Sequence, residues 1–210
     1  DNVVIPSGTT LQIGNEISEI KSLENEGTIV INPTYSLKSM SNMVNNGTII
    51  MDSSTDDSAV LFVEGTSTGN IVYKRGGLKA NKWSLVTPPV SGQKIKEFAT
   101  EVDNDIRKNE TVSPVRYAIA YYDDTEDSGS KWKYFTESIS ADTTFTAGES
   151  YGISRATDGS VTFTGTLTLT GSMNASGIVN AESLQEDYDA LSGTSPAPDA
   201  DNAGAFSLTM

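Results

Sequence analysis

The sequence predicts an all-β protein, with a short β-solenoid-like N-terminal part followed by a β-sandwich- or jelly-roll-like domain. Two observations predict this fold class: short β-branched segments recur at a fixed spacing early in the chain, and later segments alternate apolar and polar residues. The composition agrees, because only 36% of the 210 residues are hydrophobic while Gly, Ser, Thr and Asn are abundant. Such a composition suits short strands and turns better than long helices.

The solenoid prediction rests on an internal repeat within residues 1–80. The segment Asn25–Ile31 returns 20 residues later as Asn45–Met51, and a looser copy follows at Thr68–Tyr73. A spacing of about 20 residues is typical of one solenoid coil, in which tight corners join short strands. The alternative is a pair of similar hairpins in a sandwich. Further strand-like segments between the two best copies favour the solenoid.

The repeat also predicts how the coils stack and turn. Thr28 should stack on Thr48, and Ile29 on Ile49, so that each coil buries its apolar side against its neighbours. Asn and Gly are expected at the corners because both tolerate left-handed backbone conformations.

Residues 81–172 predict the sandwich-like domain, because strand-like segments recur there with turn signals between them. The last segment alternates Val, Phe and Leu with Thr, which is the period of a half-buried strand. The segments are Trp83–Val86, Arg116–Tyr122, Lys131–Phe135, Ser150–Ser154 and Val161–Leu169. Residues 173–210 predict a short helix over 181–191, a linker and a terminal strand at 205–210.

Charge and missing residue types narrow the function classes. The net charge of −14 repels phosphate backbones, so we expect no nucleic-acid partner. The chain has neither Cys nor His, which excludes thiol catalysis, Ser-His-Asp chemistry and imidazole-ligated zinc in their usual forms. No apolar run approaches the roughly 20 residues that span a bilayer, so no membrane span is expected. These features favour a protein that is not an enzyme.

Acidic loops suggest calcium as the one metal to consider, because Asp, Asn and backbone carbonyl oxygens supply its ligands. The first candidates are Asp123, Asp124 and Asp127. The loop departs from the EF-hand pattern because no Gly stands at its sixth position. The alternative interpretation is that these carboxylates are solvated surface groups without a metal. No cofactor other than calcium is expected.

Aromatic residues in the second region allow two interpretations. They pack a sandwich core, which we favour because large aromatic rings dominate burial energy, or some of them stack on sugar faces as in carbohydrate-binding modules. Alternation places Tyr117 and Tyr121 on one face of their strand and Tyr122 on the other. The aromatic residues are Trp83, Tyr117, Tyr121, Tyr122, Trp132, Tyr134, Phe135 and Tyr151.

A series of short motifs in fixed order resembles the repetitive modules of large surface and secreted proteins of Bacteroidetes, especially flavobacteria. The motifs lie at 45–49, 82–92, 131–134, 147–153 and 161–167. The resemblance implies export by the type IX secretion system, an extracellular or cell-surface location, and a role in adhesion, gliding or matrix. It implies no catalytic residue.

The same resemblance implies O-linked glycosylation. Ser58 lies between Asp57 and Ala59, and Thr143 lies between Asp142 and Thr144. Both triplets look like the acceptor associated with O-glycosylation in Bacteroidetes. Ser58 and Thr143 are therefore the expected acceptors.

These observations predict a non-enzymatic, extracellular structural or adhesive surface protein that forms part of a filament or matrix. Self-association would use the strand-like segments Val3–Ile5 and Phe206–Leu208, because unpaired edge strands are templates for pairing. One alternative is a carbohydrate-binding module of a larger secreted protein, with a polysaccharide as its partner. A second alternative is a glycan-degrading enzyme, which requires two facing carboxylates.

Overall fold

The computed structural model of the protein describes residues 1–14, 17–126 and 131–167. These residues form an all-β fold, in which a parallel β-solenoid of about three turns precedes a curled antiparallel sheet. The predicted fold class is therefore confirmed. The predicted helix, linker and terminal strand within 173–210 lie outside the described residues.

The solenoid has three faces, and each coil contributes one strand to each face. The first coil contains β1 (Asn2–Ile5), β2 (Thr10–Ile13) and β3 (Ile17–Ile20). The second contains β4 (Ser22–Asn25), β5 (Thr28–Ile31) and β6 (Ser36–Ser39). The third contains β7 (Met43–Asn45), β8 (Thr48–Met51) and β9 (Val60–Val63). A further coil begins with β10 (Ser67–Thr68) and β11 (Asn70–Leu78).

Successive coils stack in register through parallel strand pairs. Thr28 pairs with Thr48 and Ile29 with Ile49, as the repeat predicts. Ile71 of β11 continues the column by pairing with Ile49, and the three isoleucines are fully buried. Burying each isoleucine side chain contributes about 1.5–3 kcal/mol, so this column is a main source of solenoid stability.

Corner glycines allow the coils to approach closely. A Cβ atom on Gly27 would lie 2.4 Å from the carbonyl oxygen of Thr9, and one on Gly47 would lie 2.1 Å from that of Gly27. Gly69, in the next coil, has a φ of +90°, whereas Gly27 and Gly47 lie outside the left-handed region. The prediction that Gly27 and Gly47 are glycines because they adopt a left-handed backbone conformation is therefore wrong. Glycine is needed there because the preceding coil's backbone occupies the space of a side chain.

Two buried asparagines link the same corners. The Nδ2 of Asn25 donates to the Oδ1 of Asn45 at 2.7 Å, and the Nδ2 of Asn45 donates to the Asn70 carbonyl at 2.5 Å. The Oδ1 of Asn25 also accepts the backbone N–H of Gly27 at 3.2 Å. An unsatisfied polar group in this position would cost about 1–3 kcal/mol, so the ladder favours this one register.

The second part contains a short helix and six strands. The elements are β12 (Trp83–Val86), α1 (Ile95–Thr100), β13 (Lys108–Asn109), β14 (Arg116–Tyr122), β15 (Trp132–Thr136), β16 (Tyr151–Ser154) and β17 (Gly159–Thr166). Four of the strands pair in the order β12, β16, β14, β13, and β15 also pairs with β14. All five predicted strands of this region are present, with small differences in their bounds, and the last two residues of the fifth, 168 and 169, lie outside the described residues.

β17 joins the second part to the solenoid. It pairs antiparallel with β11, and β11 in turn pairs with the parallel strands in the order β8, β5, β2. Its Phe163 is fully buried and stacks on Phe98 of α1 at 4.6 Å, and Phe145 packs edge-on against both rings. The predicted boundary between residues 80 and 81 falls after β11 and stays a prediction.

The turn between β16 and β17 is held by a buried arginine. The Arg155 guanidinium donates to the carbonyl oxygens of Asp103 and Asn104, at 2.9 and 2.8 Å, and to that of Thr157 at 3.2 Å. Neutral carbonyl oxygens thus replace water around a buried charge. This contact fixes the end of β16 relative to the loop that follows α1.

We expect Gly47→Ala to lower the free energy of unfolding by about 1–3 kcal/mol, because the new methyl group must displace the Gly27 backbone. Gly14→Ala is the matched control, since no heavy atom lies within 4 Å of its Cβ position. The control should change the free energy by less than about 0.5 kcal/mol. Urea unfolding followed by circular dichroism measures both, and equal effects would contradict the steric explanation.

Candidate functional site

The antiparallel sheet carries a row of residues that share one face. Ala120 of β14 pairs with Gly152 of β16 on one side and with Tyr134 of β15 on the other. Leu85 of β12 pairs with Gly152 and completes the row. Residues paired across antiparallel strands project from the same face, so the two smallest side chains lie between two large ones.

Four aromatic rings, Tyr134 of the row itself and three beside it, reach solvent on this face. Trp83, Tyr122, Trp132 and Tyr134 remain 50%, 52%, 45% and 40% exposed. Trp83 and Tyr134 meet edge to face at 5.8 Å, and Tyr122 and Trp132 do so at 5.4 Å. Edge-to-face pairs of this kind contribute about 0.5–1.5 kcal/mol beyond area burial, so the rings of each pair hold each other in place.

Three of these rings, Trp83, Trp132 and Tyr134, line an open groove of about 300 Å³. Gly152 forms part of its floor: a Cβ atom there would lie 3.4 Å from the Trp132 ring and 3.5 Å from the Trp83 ring. These are ordinary van der Waals distances, so a methyl group would fit there, and glycine leaves the space between the two indoles open. Its lining residues are Trp83, Ser84, Leu85, Ala120, Trp132, Tyr134 and Gly152.

The expectation that the aromatic residues pack a core is correct only for part of the set. Tyr117 and Tyr151 are buried, whereas Trp83, Trp132 and Tyr134 line the groove. The physical reason is the sheet's alternation. Buried residues such as Tyr117 of β14 belong to one face of the sheet, and the groove residues stand on the opposite face.

The alternation within β14 agrees with the prediction for its three tyrosines. Tyr117 is buried, and Tyr121 packs against Phe135 at 5.3 Å. Tyr122 packs instead against Trp132, beside the groove.

Sequence reasoning missed the floor residues Gly152 and Ala120. The signal that could have found them is a small residue placed next to an aromatic one within a predicted strand: Ala120 precedes Tyr121 in β14, and Gly152 follows Tyr151 in β16.

Two cations lie over these rings. The Arg116 guanidinium carbon is 5.2 Å from the centroid of the Tyr134 ring, and the Lys131 Nζ is 5.6 Å from that of Tyr122. Such contacts contribute about 0.5–1 kcal/mol at exposed sites. They orient the tyrosine rings and place positive charge at the edge of an otherwise neutral groove.

Two of the three predicted calcium ligands, Asp123 and Asp124, lie within the described residues. The Asp123 carboxylate accepts hydrogen bonds from the Thr125 hydroxyl at 2.6 Å and from the Thr125 backbone N–H at 3.1 Å. Asp124 is exposed, and its backbone carbonyl accepts a bond from the Lys131 ammonium group at 3.0 Å. Asp127 lies outside the described residues. Calcium binding by this loop stays a prediction. Among residues 1–14, 17–126 and 131–167, no group of three or more acidic side chains is placed to hold a metal ion.

The predicted glycosylation acceptors differ in accessibility. Ser58 is exposed, at the end of a short loop where it bridges to Ser53. Thr143 is half-buried, and its carbonyl oxygen accepts the backbone N–H of Ile95 at 2.9 Å. Ser58 is therefore the more accessible acceptor. Glycosylation at both positions stays a prediction.

Comparison with known proteins finds no match: no family model, no curated protein and no solved structure matches this chain. In the part of the chain that the structure describes, no helix has both the length and the apolar character of a membrane-crossing segment.

We expect Thr125→Val to raise the pKa of Asp123. In the native protein, hydrogen bonds from Thr125, its hydroxyl first, hold that pKa below its ordinary value. Because the pKa of Asp123 is lower in the folded protein than in the unfolded chain, these hydrogen bonds stabilise the fold at pH values above the unfolded-state pKa. The stabilisation is lost as the pH falls through the folded-state pKa. Thr125→Ser keeps the hydroxyl and should leave the pKa low. NMR titration of the Asp123 carboxyl carbon measures it, and equal values in both variants would contradict this assignment.

Proposed function

We propose that this protein is a non-enzymatic, extracellular surface protein that binds a polysaccharide through the aromatic groove. The observation behind the proposal is the arrangement of Trp83, Trp132 and Tyr134 around a floor of Gly152 and Ala120. Exposed apolar patches bounded by polar surface commonly mark interaction sites. Rings that are already packed against each other lose little conformational freedom on binding.

The chemistry of sugar rings supports a carbohydrate ligand. A pyranose ring presents C–H groups on its faces and hydroxyl groups around its edge, so it stacks on an aromatic ring while its hydroxyls meet water or polar groups. The groove of about 300 Å³ supplies aromatic walls and is open to solvent. Because a polysaccharide continues beyond one or two sugars, an open groove suits it better than a closed pocket.

The lining of the groove supports binding rather than hydrolysis. Glycoside hydrolysis generally uses two carboxyl groups that flank the scissile bond. The residues that line this groove are aromatic, aliphatic or small, with Ser84 as the polar member. A glycan-degrading enzyme, the alternative considered from sequence, would need its acidic pair elsewhere in the chain.

An adhesive or structural role combines the two parts of the molecule. In this proposal the solenoid acts as a rigid support, and the antiparallel sheet carries the ligand. Self-association through Val3–Ile5 remains part of the proposal, since Val4 is 60% exposed on the strand of the first coil. Phe206–Leu208, the other segment proposed to pair, lies outside the described residues.

We expect Trp83→Ala and Tyr134→Ala each to weaken polysaccharide binding by about tenfold or more, because central aromatic residues commonly dominate binding energy. Affinity gel electrophoresis against soluble glucans, xylans, mannans and galactans measures the effect. Phe62→Ala is the matched control, since Phe62 is a partly exposed aromatic residue of the solenoid that also has a lysine, Lys38, near its ring. It should bind as the wild type does.

Stability measurements keep this test interpretable. Both groove residues are about half exposed, so each alanine variant should remain folded, with a circular dichroism spectrum like that of the wild type. A wild-type protein that binds none of the polysaccharides would overturn the proposal. So would alanine variants that remain folded and bind unchanged.

Protein recovered from its native surface should carry added hexose mass on the Ser58 peptide, and to a smaller extent on the Thr143 peptide, because Ser58 is the more exposed acceptor. Mass spectrometry of these peptides and negative-stain microscopy of the intact protein measure modification and polymerisation together. Long polymers would support a filament or matrix subunit. An unmodified monomer would contradict both the glycosylation and the polymer proposals.

A further inference from the structure

A second cavity adjoins the aromatic groove and shares two of its walls. It has a volume of about 250 Å³, and Trp83 and Tyr134 line both spaces. A ligand stacked on these two rings in the groove therefore lies next to the second cavity. The remaining lining residues are Arg107, Lys108, Asn109, Arg116, Tyr117 and Ala118.

This second cavity is cationic in a strongly acidic protein. Arg107, Lys108 and Arg116 are exposed, while the whole chain has a net charge of −14. The ion pairs found in the described ranges involve other lysines, namely Lys38, Lys79, Lys94 and Lys133. The three cations of the cavity are thus left available to an anion from outside.

Strand pairing places the two arginines close together. Asn109 of β13 pairs with Arg116 of β14, and the backbone N–H of Ala118 donates to the Arg107 carbonyl at 2.8 Å. Arg116 also lies over the Tyr134 ring, with its guanidinium carbon 5.2 Å from the ring centroid. A guanidinium held against an aromatic wall can donate two parallel hydrogen bonds to a planar anion that enters beside that wall.

We propose that the ligand is an acidic glycan, whose carboxylate or sulfate group binds Arg107 and Arg116 while a neighbouring sugar stacks on Trp83 and Tyr134. This inference rests on the proposed carbohydrate function and specifies its substrate class. Carboxylate and sulfate share the chemistry that matters here, because each is a compact oxyanion that accepts paired hydrogen bonds from a guanidinium.

The charge distribution favours this ligand over single-stranded nucleic acid, which also combines stacking with cationic contacts. A nucleic acid carries one phosphate per nucleotide along its whole length. Here the three cations of the second cavity lie beside a groove whose own lining residues are uncharged, on a protein of net charge −14. A repulsive field of that sign opposes a uniformly charged phosphate chain.

The test compares acidic polysaccharides with neutral derivatives of the same backbone. Glucuronoxylan is paired with its carboxyl-reduced form, and carrageenan with its desulfated form, using biolayer interferometry at low and high salt. We expect the wild type to bind at least one acidic form about tenfold more tightly than its neutral counterpart, with the preference decreasing as salt rises.

The double variant Arg107→Gln/Arg116→Gln should lose this preference. Its binding to the neutral form should fall less than its binding to the acidic form, because the aromatic walls remain although Arg116 no longer orients the Tyr134 ring. Arg107→Lys/Arg116→Lys keeps both charges and should retain most of the preference. Lys79→Gln is the matched control: it removes an exposed cation that pairs with Asp158 and does not line either space. It should bind like the wild type.

The outcomes separate the two proposals. If no polysaccharide binds, the proposed function and this inference both fail. If acidic and neutral forms bind equally, or the arginine double variant keeps the preference, only the acidic-ligand inference fails. Tighter binding of a poly-dT oligonucleotide than of every polysaccharide would overturn the inference in favour of a nucleic-acid ligand.

Discussion

The close stacking of backbones at the solenoid corners is the constraint on which the rest of the structure depends. Hydrogen-bonded strands lie about 4.8 Å apart, and this spacing leaves no room for a side chain where one coil turns directly above the next. Gly27 and Gly47 meet the constraint by omitting a Cβ atom. Once the corners fit, Ile29, Ile49 and Ile71 come into one buried column, and the Asn25–Asn45 ladder can form.

The regular stack also supports the irregular part of the molecule. β11 uses one edge for the parallel coil below it and offers the other to β17, which runs antiparallel. Phe163 of β17 then packs on Phe98, and Arg155 holds the turn that leads from β16. Because β16 carries Gly152, the floor of the groove is positioned by contacts that begin at the end of the solenoid.

Much of the fold could be predicted from sequence, because near-identical residues at a fixed spacing specify a register directly. The pairing of Thr28 with Thr48 follows from the repeat alone, and β14 has the predicted bounds.

The site could be predicted only in part. Alternation shows that Tyr122 and Tyr117 face opposite sides of β14, but it does not show which side will be covered. Gly152 and Arg107 reach the site through pairing between strands distant in sequence, which a local pattern does not encode. The helix α1 is only six residues long, too short for an apolar periodicity to reveal.

Because β11 pairs antiparallel with β17, the number of coils in the solenoid can change more readily than the structure of the antiparallel sheet. A parallel coil presents the same backbone pattern to the coil above as to the coil below, so duplication of one 20-residue unit would lengthen the stack without creating a new kind of contact. The antiparallel junction has no such equivalence, because β17 belongs to the sheet that carries the groove. Coil number can therefore change in steps of about 4.8 Å while the antiparallel sheet and its groove stay the same. Changes in the length of the solenoid would therefore leave the geometry of the groove unchanged.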